Sequence, residues 1–362
     1  MSLSAVRDQP AALRLLRNVI ARNRTPNGLL FWGADGVGKR MTAMEFAKAL
    51  NCREMELDAC DACISCRKAG TGNHPDITVI APTGRSRTVS KETIGEMSEM
   101  ASFRPVEGRW RVFLLEDAER LTLPAQNHFL KTLEEPPSNS LFILITSFPR
   151  ALLPTIRSRC QQVRFQTLRP ETILELLAER HTLPREEAQS IALLSQGQMT
   201  RALDLVQTEK RSLALELTRR LAAGDDPVLL AEEFAGNLKA LRQQVESETA
   251  ELFETDQGAT LTPEEREEMK AARAAVADAA YRRGIVDYLY ILQTWYRDQL
   301  VYRSLQSPEA VLNRDQTDRL ARECSADPGE KIIAIGKARQ LLDRYISEDR
   351  VFRDLFLSLA AP

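Results

Sequence analysis

The sequence contains no run of about eighteen consecutive apolar residues, the length at which a segment becomes a candidate membrane-spanning helix. The first residues, Met1 to Asp8, also lack the apolar core of a secretory signal. We therefore expect a cytoplasmic protein with no membrane partner.

The sequence has no excess of charge of either sign. Its 49 Lys and Arg residues nearly balance 51 Asp and Glu residues, which gives a net charge of −2 at pH 7. This balance excludes a globally basic, histone-like DNA-binding protein. With 362 residues and 43% hydrophobic residues, the chain is long enough for two or three globular domains.

A glycine-rich segment at 33–40 lies between an apolar run at 29–32 and a helical pattern at 41–50. This is the spacing of a phosphate-binding loop, in which backbone N–H groups face phosphate oxygens and Lys39 reaches the terminal phosphates. The pattern then requires Ser or Thr to bind Mg²⁺, but this chain has Arg40. The candidate nucleotide contacts in the loop are Gly33, Gly36, Gly38, Lys39 and Arg40.

Four of the six cysteines, Cys52, Cys60, Cys63 and Cys66, lie in one short segment. In a chain without a secretory signal, such a cluster indicates a metal site rather than disulfides. Four thiolates at this spacing close a tetrahedral shell around Zn²⁺ and leave no open position for catalysis. We predict a structural zinc; the alternative is four free thiols in a loop. The other two cysteines are expected to be packed thiols: Cys160 and Cys324.

Apolar runs alternate with helical patterns through the first half of the chain. This order is typical of a parallel sheet with helices on both faces, so we predict an α/β fold. The strands are predicted at 29–32, 77–80, 111–115 and 141–145, and the helices at 10–22, 39–50, from 90 and from about 124.

Two carboxylates, Glu116 and Asp117, end the third predicted strand. In phosphate-loop nucleotidases an Asp at this place orients Mg²⁺, and a following Glu polarises the attacking water. The order is reversed here. Thr146, at the end of the next strand, is a further candidate nucleotide contact.

Between Pro136 and Pro170 there is no Asp or Glu, although five arginines occur. One interpretation is a solvated basic face. The other is that an arginine after the segment 154–158 lies on a short helix at a subunit edge and faces a neighbour's phosphates.

Several motifs together resemble the bacterial clamp-loader AAA+ proteins of DNA polymerase III. The resemblance covers about residues 5 to 207. It is most specific in the run Leu130 to Pro137 followed by Ser158-Arg159-Cys160. The other matching motifs are Gly33–Lys39, the four-cysteine insert, His74-Pro75-Asp76 and Glu116-Asp117-Ala118-Glu119.

The resemblance implies a three-part architecture. Residues 1–166 would form a RecA-like AAA+ P-loop domain with a zinc module at 52–66, residues 167–207 a small helical lid, and residues 208–362 an all-helical collar for oligomerisation. No strand pattern occurs after 208. There, Thr262 is expected to cap a helix that Gly284 ends, with a further helix from Ile285.

Three departures from the active members of this family lead us to expect a chain that does not hydrolyse ATP by itself. Arg40 replaces the Mg²⁺ ligand, Glu116-Asp117 is reversed, and Thr200 occupies the place of a phosphate-sensing Arg, with Arg201 one step away. Mg²⁺ is therefore not expected in this site. Whether ATP or ADP binds through Lys39 stays open.

The resemblance also assigns a role to Arg159, that of an arginine finger given in trans to a neighbouring ATP site. The partners would be gamma/tau-type and delta-type subunits in a hetero-oligomeric ring, the sliding clamp, and primed DNA through the complex. Two alternatives remain: an ATP-hydrolysing motor subunit in which Thr42 or water replaces the missing ligand, and a free-standing, zinc-stabilised DNA-binding module.

Overall fold

The computed structural model describes residues 2–22, 25–82, 88–254, 263–323, 327–344 and 346–360. They form two compact units, one of residues 1–172 with 197–200 and one of residues 173–196 with 201–362. The division at 166 and 207 stays a prediction. Residues 83–87, Cys324 and the Thr262 cap lie outside the described residues.

The first unit is built on a five-stranded, wholly parallel sheet, which confirms the predicted α/β class. The strand order is β2-β3-β4-β1-β5. The strands are β1 (Gly28–Trp32), β2 (Ile77–Ile80), β3 (Arg111–Leu115), β4 (Ser140–Thr146) and β5 (Gln161–Arg164).

Helices cover both faces of this sheet, as the apolar strand sequences require. Alternate residues of β1 enter different cores: Leu29 and Phe31 pack in one, and Leu30 packs in the other. The first core also contains residues of α1 and α2, and the second contains residues of α4, α5 and α6. The helices are α1 (Pro10–Ala21), α2 (Lys39–Leu50), α3 (Ile64–Gly70), α4 (Lys91–Ser102), α5 (Leu123–Glu134) and α6 (Pro154–Arg159).

After β5 every regular element that the structure describes is helical, as predicted for this part of the chain. None of the described helices has the length and hydropathy needed to cross a bilayer. These helices are α7 (Pro170–Ala178), α8 (Arg185–Leu194), α9 (Met199–Gln207), α10 (Lys210–Ala223), α11 (Pro227–Glu254), α12 (Pro263–Leu305), α13 (Thr317–Arg322), α14 (Pro328–Asp343) and α15 (Glu348–Ala360).

The predicted helix end at Gly284 is wrong, because α12 continues through it to Leu305. Gly284 is buried against α11, and a Cβ built on it would lie 2.7 Å from Cδ2 of Leu241. The glycine therefore permits close packing of two helices rather than a left-handed cap.

A buried polar network joins α8 and α10 to the segment after α12. Asp315 accepts hydrogen bonds from Arg211 at 2.6 Å and from the hydroxyl of Ser190 at 2.5 Å. Burial acts to raise the pKa of Asp315, but the hydrogen bond and charge of Arg211 hold that pKa below its ordinary value. Because both hydrogen bonds are to a charged group, they fix the position of α8 within the second unit.

Candidate nucleotide-binding loop and cysteine cluster

The glycine-rich loop connects β1 to α2, which is the arrangement that a phosphate-binding loop requires. Gly36 and Gly38 have φ values of +70° and +91°, a region that favours glycine. A Cβ on Gly36 would also lie 2.7 Å from the backbone nitrogen of Thr200. The loop therefore has the compact backbone of a phosphate site.

Lys39 is buried and its ammonium group is fully engaged by the protein. It donates to the carbonyl oxygens of Gly33 and Ala34, each at 2.7 Å, and to the hydroxyl of Ser147 at 2.9 Å. Burial lowers its pKa, and the nearby carboxylates, Asp35 first, oppose that shift. A bound phosphate would have to replace some of these hydrogen bonds.

Arg40 forms an ion pair with Glu116, through Nε and Oε1. These residues occupy the two positions at which the pattern expects a Ser or Thr ligand and an Asp that orients the metal. Arg40 is largely exposed, and Glu116 is only 18% exposed. The guanidinium group thus provides a positive charge beside the carboxylate that would otherwise face Mg²⁺.

Asp117 and Thr146, two further candidate nucleotide contacts, lie in different surroundings from Glu116. Asp117 is exposed, with φ 44°, and precedes a short 3₁₀ helix at 118–120. Thr146 is buried, and its hydroxyl accepts a hydrogen bond from the backbone N–H of Phe148 at 3.0 Å. In the described structure, Thr146 therefore holds the turn after β4.

Ser147 and Asp35 are not predicted as site residues by the sequence motifs, yet both lie beside the loop lysine. The Ser147 hydroxyl donates to Asp35, and Asp35 lies 3.8 Å from the Lys39 ammonium. The strand pairing explains the position of Ser147: Trp32 is the partner of Thr146 in the β1–β4 register, so the next residues of both strands come together. Sequence spacing alone gives no sign of this proximity.

Thr200 and Arg201 face different surroundings, as their one-residue offset predicts. The backbone N–H of Met199 donates to the carbonyl oxygen of Gly36 at 3.0 Å, which places Thr200 beside the loop. Arg201 instead pairs with Asp287 at 3.4 Å, and its guanidinium carbon lies 3.9 Å from the ring centre of Tyr290.

Thr42, the substitute metal ligand of the motor alternative, is fully buried in α2. Its hydroxyl donates to the carbonyl oxygen of Gly38 at 2.8 Å, one turn earlier in the chain. Ligation of a metal from this position would require exposure of a side chain that is fully buried.

Arg159 is the last residue of α6 and is exposed. Its guanidinium group pairs with Glu134 at the end of α5, 2.6 Å away, and donates to the carbonyl oxygen of Thr155 at 3.2 Å. Exposed ion pairs contribute little stability, so this pair exchanges readily for a stronger anionic partner.

Cys52, Cys60, Cys63 and Cys66 come together, with all four sulfur atoms within 4.8 Å of one another. The sulfurs of Cys60 and Cys66 are 3.9 Å apart. A tetrahedral Zn²⁺ site with Zn–S bonds of about 2.3 Å needs sulfur separations of about 3.8 Å. The cluster therefore has the geometry to hold a metal ion.

Backbone N–H groups donate to the cysteine sulfurs, as is favourable for thiolates. Cys63 N–H donates to Cys60 Sγ at 3.2 Å, and Cys66 N–H donates to Cys63 Sγ at 3.4 Å. Burial acts to raise the pKa of Cys63, but backbone hydrogen bonds outweigh it and lower that pKa to about 6. Cys160 differs, because burial alone raises its pKa to about 12, as expected of a packed thiol.

The His74-Pro75-Asp76 motif holds the segment at 106–108 in place. Both carboxylate oxygens of Asp76 are used, by the N–H groups of Val106 (2.6 Å), Glu107 (2.9 Å) and Gly108 (2.7 Å). His74 is buried and accepts a hydrogen bond from Asp76 N–H through Nδ1 at 3.0 Å. This motif is therefore structural.

The sequence of the first unit matches a protein-family model described as "DNA polymerase III, delta subunit" over residues 8–169. DNA polymerase III subunit delta′ of Bacillus subtilis (strain 168) is 36% identical over 176 residues, which are 49% of this chain and 53% of that protein. Residues 8–169 are therefore similar to subunits of DNA polymerase III.

Similarity to DNA polymerase III subunits extends beyond the first unit at a lower level. DNA polymerase III subunit tau of Bacillus subtilis (strain 168) is 25% identical over 355 residues, which are 94% of this chain and 58% of that protein. The chain thus spans little more than half the length of these two relatives. A gamma subunit-related protein of Thermotoga maritima, of known structure, is 19% identical and covers 79% of this chain and 97% of its own, with a TM-score of 0.39.

Proposed function

We propose that this chain is a delta′-type, non-hydrolysing subunit of a bacterial clamp loader. It would sit in a ring with gamma/tau-type and delta-type subunits in the cytoplasm and help to place the sliding clamp on primed DNA. Its contribution to ATP hydrolysis would be Arg159, given in trans to the site of a neighbouring motor subunit.

The Arg40–Glu116 ion pair carries the first part of this proposal. Phosphoryl transfer depends on positioning and on charge neutralisation by Mg²⁺. In this chain a guanidinium group replaces one metal ligand and pairs with the residue at the second metal position. This arrangement would remove both the positioning and the charge neutralisation that Mg²⁺ provides. The loop amides and Lys39 remain, so ATP or ADP binding without hydrolysis is compatible with this site.

The alternative, an active motor of the gamma/tau type, is supported by the lower-level similarity to tau along most of the chain. It requires Thr42 or water as the missing ligand, and the Thr42 side chain is fully buried. We therefore favour the non-hydrolysing role. Magnesium-dependent ATP turnover by the purified chain would support the motor instead.

The exposure of the Arg159–Glu134 ion pair supports the second part of the proposal. Both side chains are exposed, Glu134 by 50%, so water weakens the attraction between them. An arginine finger must break its own ion pair before it can reach the γ-phosphate of a nucleotide bound to another subunit. A weak ion pair permits this. Such a finger contributes on the order of 10³–10⁵ in rate in comparable nucleotidases.

The test is ATP turnover by the complete loader, with sliding clamp and primed DNA, assembled with Arg159→Ala. We expect turnover at the neighbouring site to fall by at least about a hundredfold. Arg150→Ala, an exposed arginine in the same acid-free segment, is the matched control. Turnover equal to wild type with Arg159→Ala would refute the trans role.

The cysteine cluster supports a structural Zn²⁺. Four thiolates leave no open coordination position, so the ion would fix the fold of residues 52–66 and take no part in a reaction.

A further inference from the structure

A groove of about 550 Å³ lies between helix α1 and the first residue of β5, the strand at one edge of the sheet. Its polar lining is Arg14, Asn18, Arg22 and Gln161, and its floor includes Leu15 and Val19. Neither the nucleotide loop nor the cysteine cluster contributes to it.

Both walls of this groove come from parts of the chain that contain no acidic residue. Residues 9–34, which include α1, have no Asp or Glu, and neither do residues 136–170, which include β5. The two segments are far apart in the sequence, and the fold brings them together. The charged side chains that line the groove are therefore all positive, on a protein whose net charge is −2.

The arginines of this surface have no carboxylate partner among the residues that the structure describes. Arg14, Arg17 and Arg22 are exposed and form no ion pair with any residue that the structure describes. By contrast, Arg353 on the second unit pairs with Glu232 at 2.9 Å. An unpaired cluster of like charges costs free energy through repulsion, and a bound polyanion would remove that cost.

We propose that this groove binds the phosphate backbone of a nucleic acid. Arg14 and Asn18 lie four residues apart on α1, and Arg22, which caps the end of this helix, follows at the same interval, so the two guanidinium groups start about 12 Å apart along the helix axis. They bind phosphates several nucleotides apart. The Asn18 and Gln161 amides donate to the oxygens between them.

Binding is independent of sequence, because these side chains contact phosphate oxygens and not base edges. This inference rests on the proposed function. It adds to that function a surface with which a clamp-loader subunit would bind DNA. It does not depend on the arginine-finger role of Arg159.

The test is fluorescence anisotropy of a labelled primed template, a duplex with a single-stranded 5′ overhang, titrated with the full purified chain. We expect wild-type dissociation constants on the order of 10⁻⁶–10⁻⁴ M, the range of non-specific binding. Arg14→Gln combined with Arg22→Gln should weaken binding by about tenfold at low salt. It should also reduce the slope of log K against log salt by about two, because two phosphates would no longer be neutralised by arginine.

The matched control is Arg180→Gln combined with Arg185→Gln, which removes two exposed arginines from the second unit. Circular dichroism and zinc content confirm that both double variants fold. Equal loss of binding in the control, unchanged binding in the groove variant, or no binding by wild type would each overturn the proposal. Tighter binding of a polyglutamate peptide than of DNA would also overturn it and would make the groove a protein-docking site.

A second readout separates this proposal from the proposed function. In the assembled loader, the groove variant should retain the Arg159-dependent ATP turnover that is measured without DNA. Loss of that turnover would mean that the groove is a subunit interface, and the nucleic-acid proposal would then fail even though the clamp-loader function holds.

Discussion

Arg40 pairs with Glu116 across the two positions where a phosphate-binding site normally binds its metal. The pair leaves the backbone of the loop intact, because Gly36 and Gly38 retain their left-handed conformations. The loop backbone and the metal-ligand positions are therefore separate features of this site, and one substitution can distinguish them.

Arg40→Thr should restore dependence on Mg²⁺, because threonine provides a hydroxyl ligand and leaves Glu116 free. We expect Mg²⁺ to raise the affinity of this variant for a fluorescent ATP analogue by at least about tenfold, or about 1.4 kcal/mol. In the wild type, Mg²⁺ should have no such effect.

The control for this experiment is Arg40→Gln, which breaks the same ion pair without adding a metal ligand. An equal Mg²⁺ effect in Arg40→Gln would show that removal of the positive charge is sufficient. An Mg²⁺ effect in the wild type would contradict our interpretation of Arg40.

Cys60→Ser should release the metal, since one of four thiolate ligands is removed. We expect about one zinc per chain in the wild type by atomic emission, and a lower thermal unfolding temperature for the variant. Cys160→Ala provides the comparison, because its thiol is buried away from the cluster and its zinc content should equal that of the wild type. Wild-type protein without zinc would disprove the metal site.

The sequence predicts most of the sheet because β1 to β4 are continuous apolar runs. It does not predict β5, Gln161–Arg164, in which Val163 is the one buried residue. An edge strand can be polar on its exposed positions, so it has no apolar run for periodicity to detect. The cysteine cluster, by contrast, could be predicted, because its four residues lie close together in the sequence.

The parts of the site that the sequence does not show depend on which strands are neighbours. Ser147 reaches Lys39 because β4 pairs with β1, although 108 residues separate the two side chains. The Arg40–Glu116 pair spans 76 residues. Long-range pairings of this kind leave no local pattern in the sequence.

Asp76→Asn should destabilise the protein by about 2–3 kcal/mol at neutral pH, because three backbone N–H groups would lose a charged acceptor. Burial opposes ionisation of Asp76, but these hydrogen bonds hold its pKa below the ordinary 3.8. Its contribution is therefore complete above about pH 4 and is lost as the pH falls through the folded pKa.

Urea unfolding of wild type and Asp76→Asn at neutral pH and below pH 4 measures this dependence. The difference between the two proteins should narrow at the lower pH. Glu99→Gln, which removes an exposed acid from the same unit, should have little effect at either pH. A constant difference for Asp76→Asn would mean that its charge is not involved.

Gly236 and Gly284 should respond differently to alanine, although both lie inside long helices. A Cβ on Gly236 would meet no atom within 4 Å, so Gly236→Ala should stabilise the protein by about 0.5–1 kcal/mol through helix propensity. A Cβ on Gly284 would lie 2.7 Å from the Leu241 side chain, so repacking offsets the same gain. We expect no stabilisation from Gly284→Ala, and a loss of about 1–3 kcal/mol from the larger Gly284→Val. Urea unfolding of the three variants measures these differences, and equal stabilisation by both alanines would show that Leu241 moves away without cost.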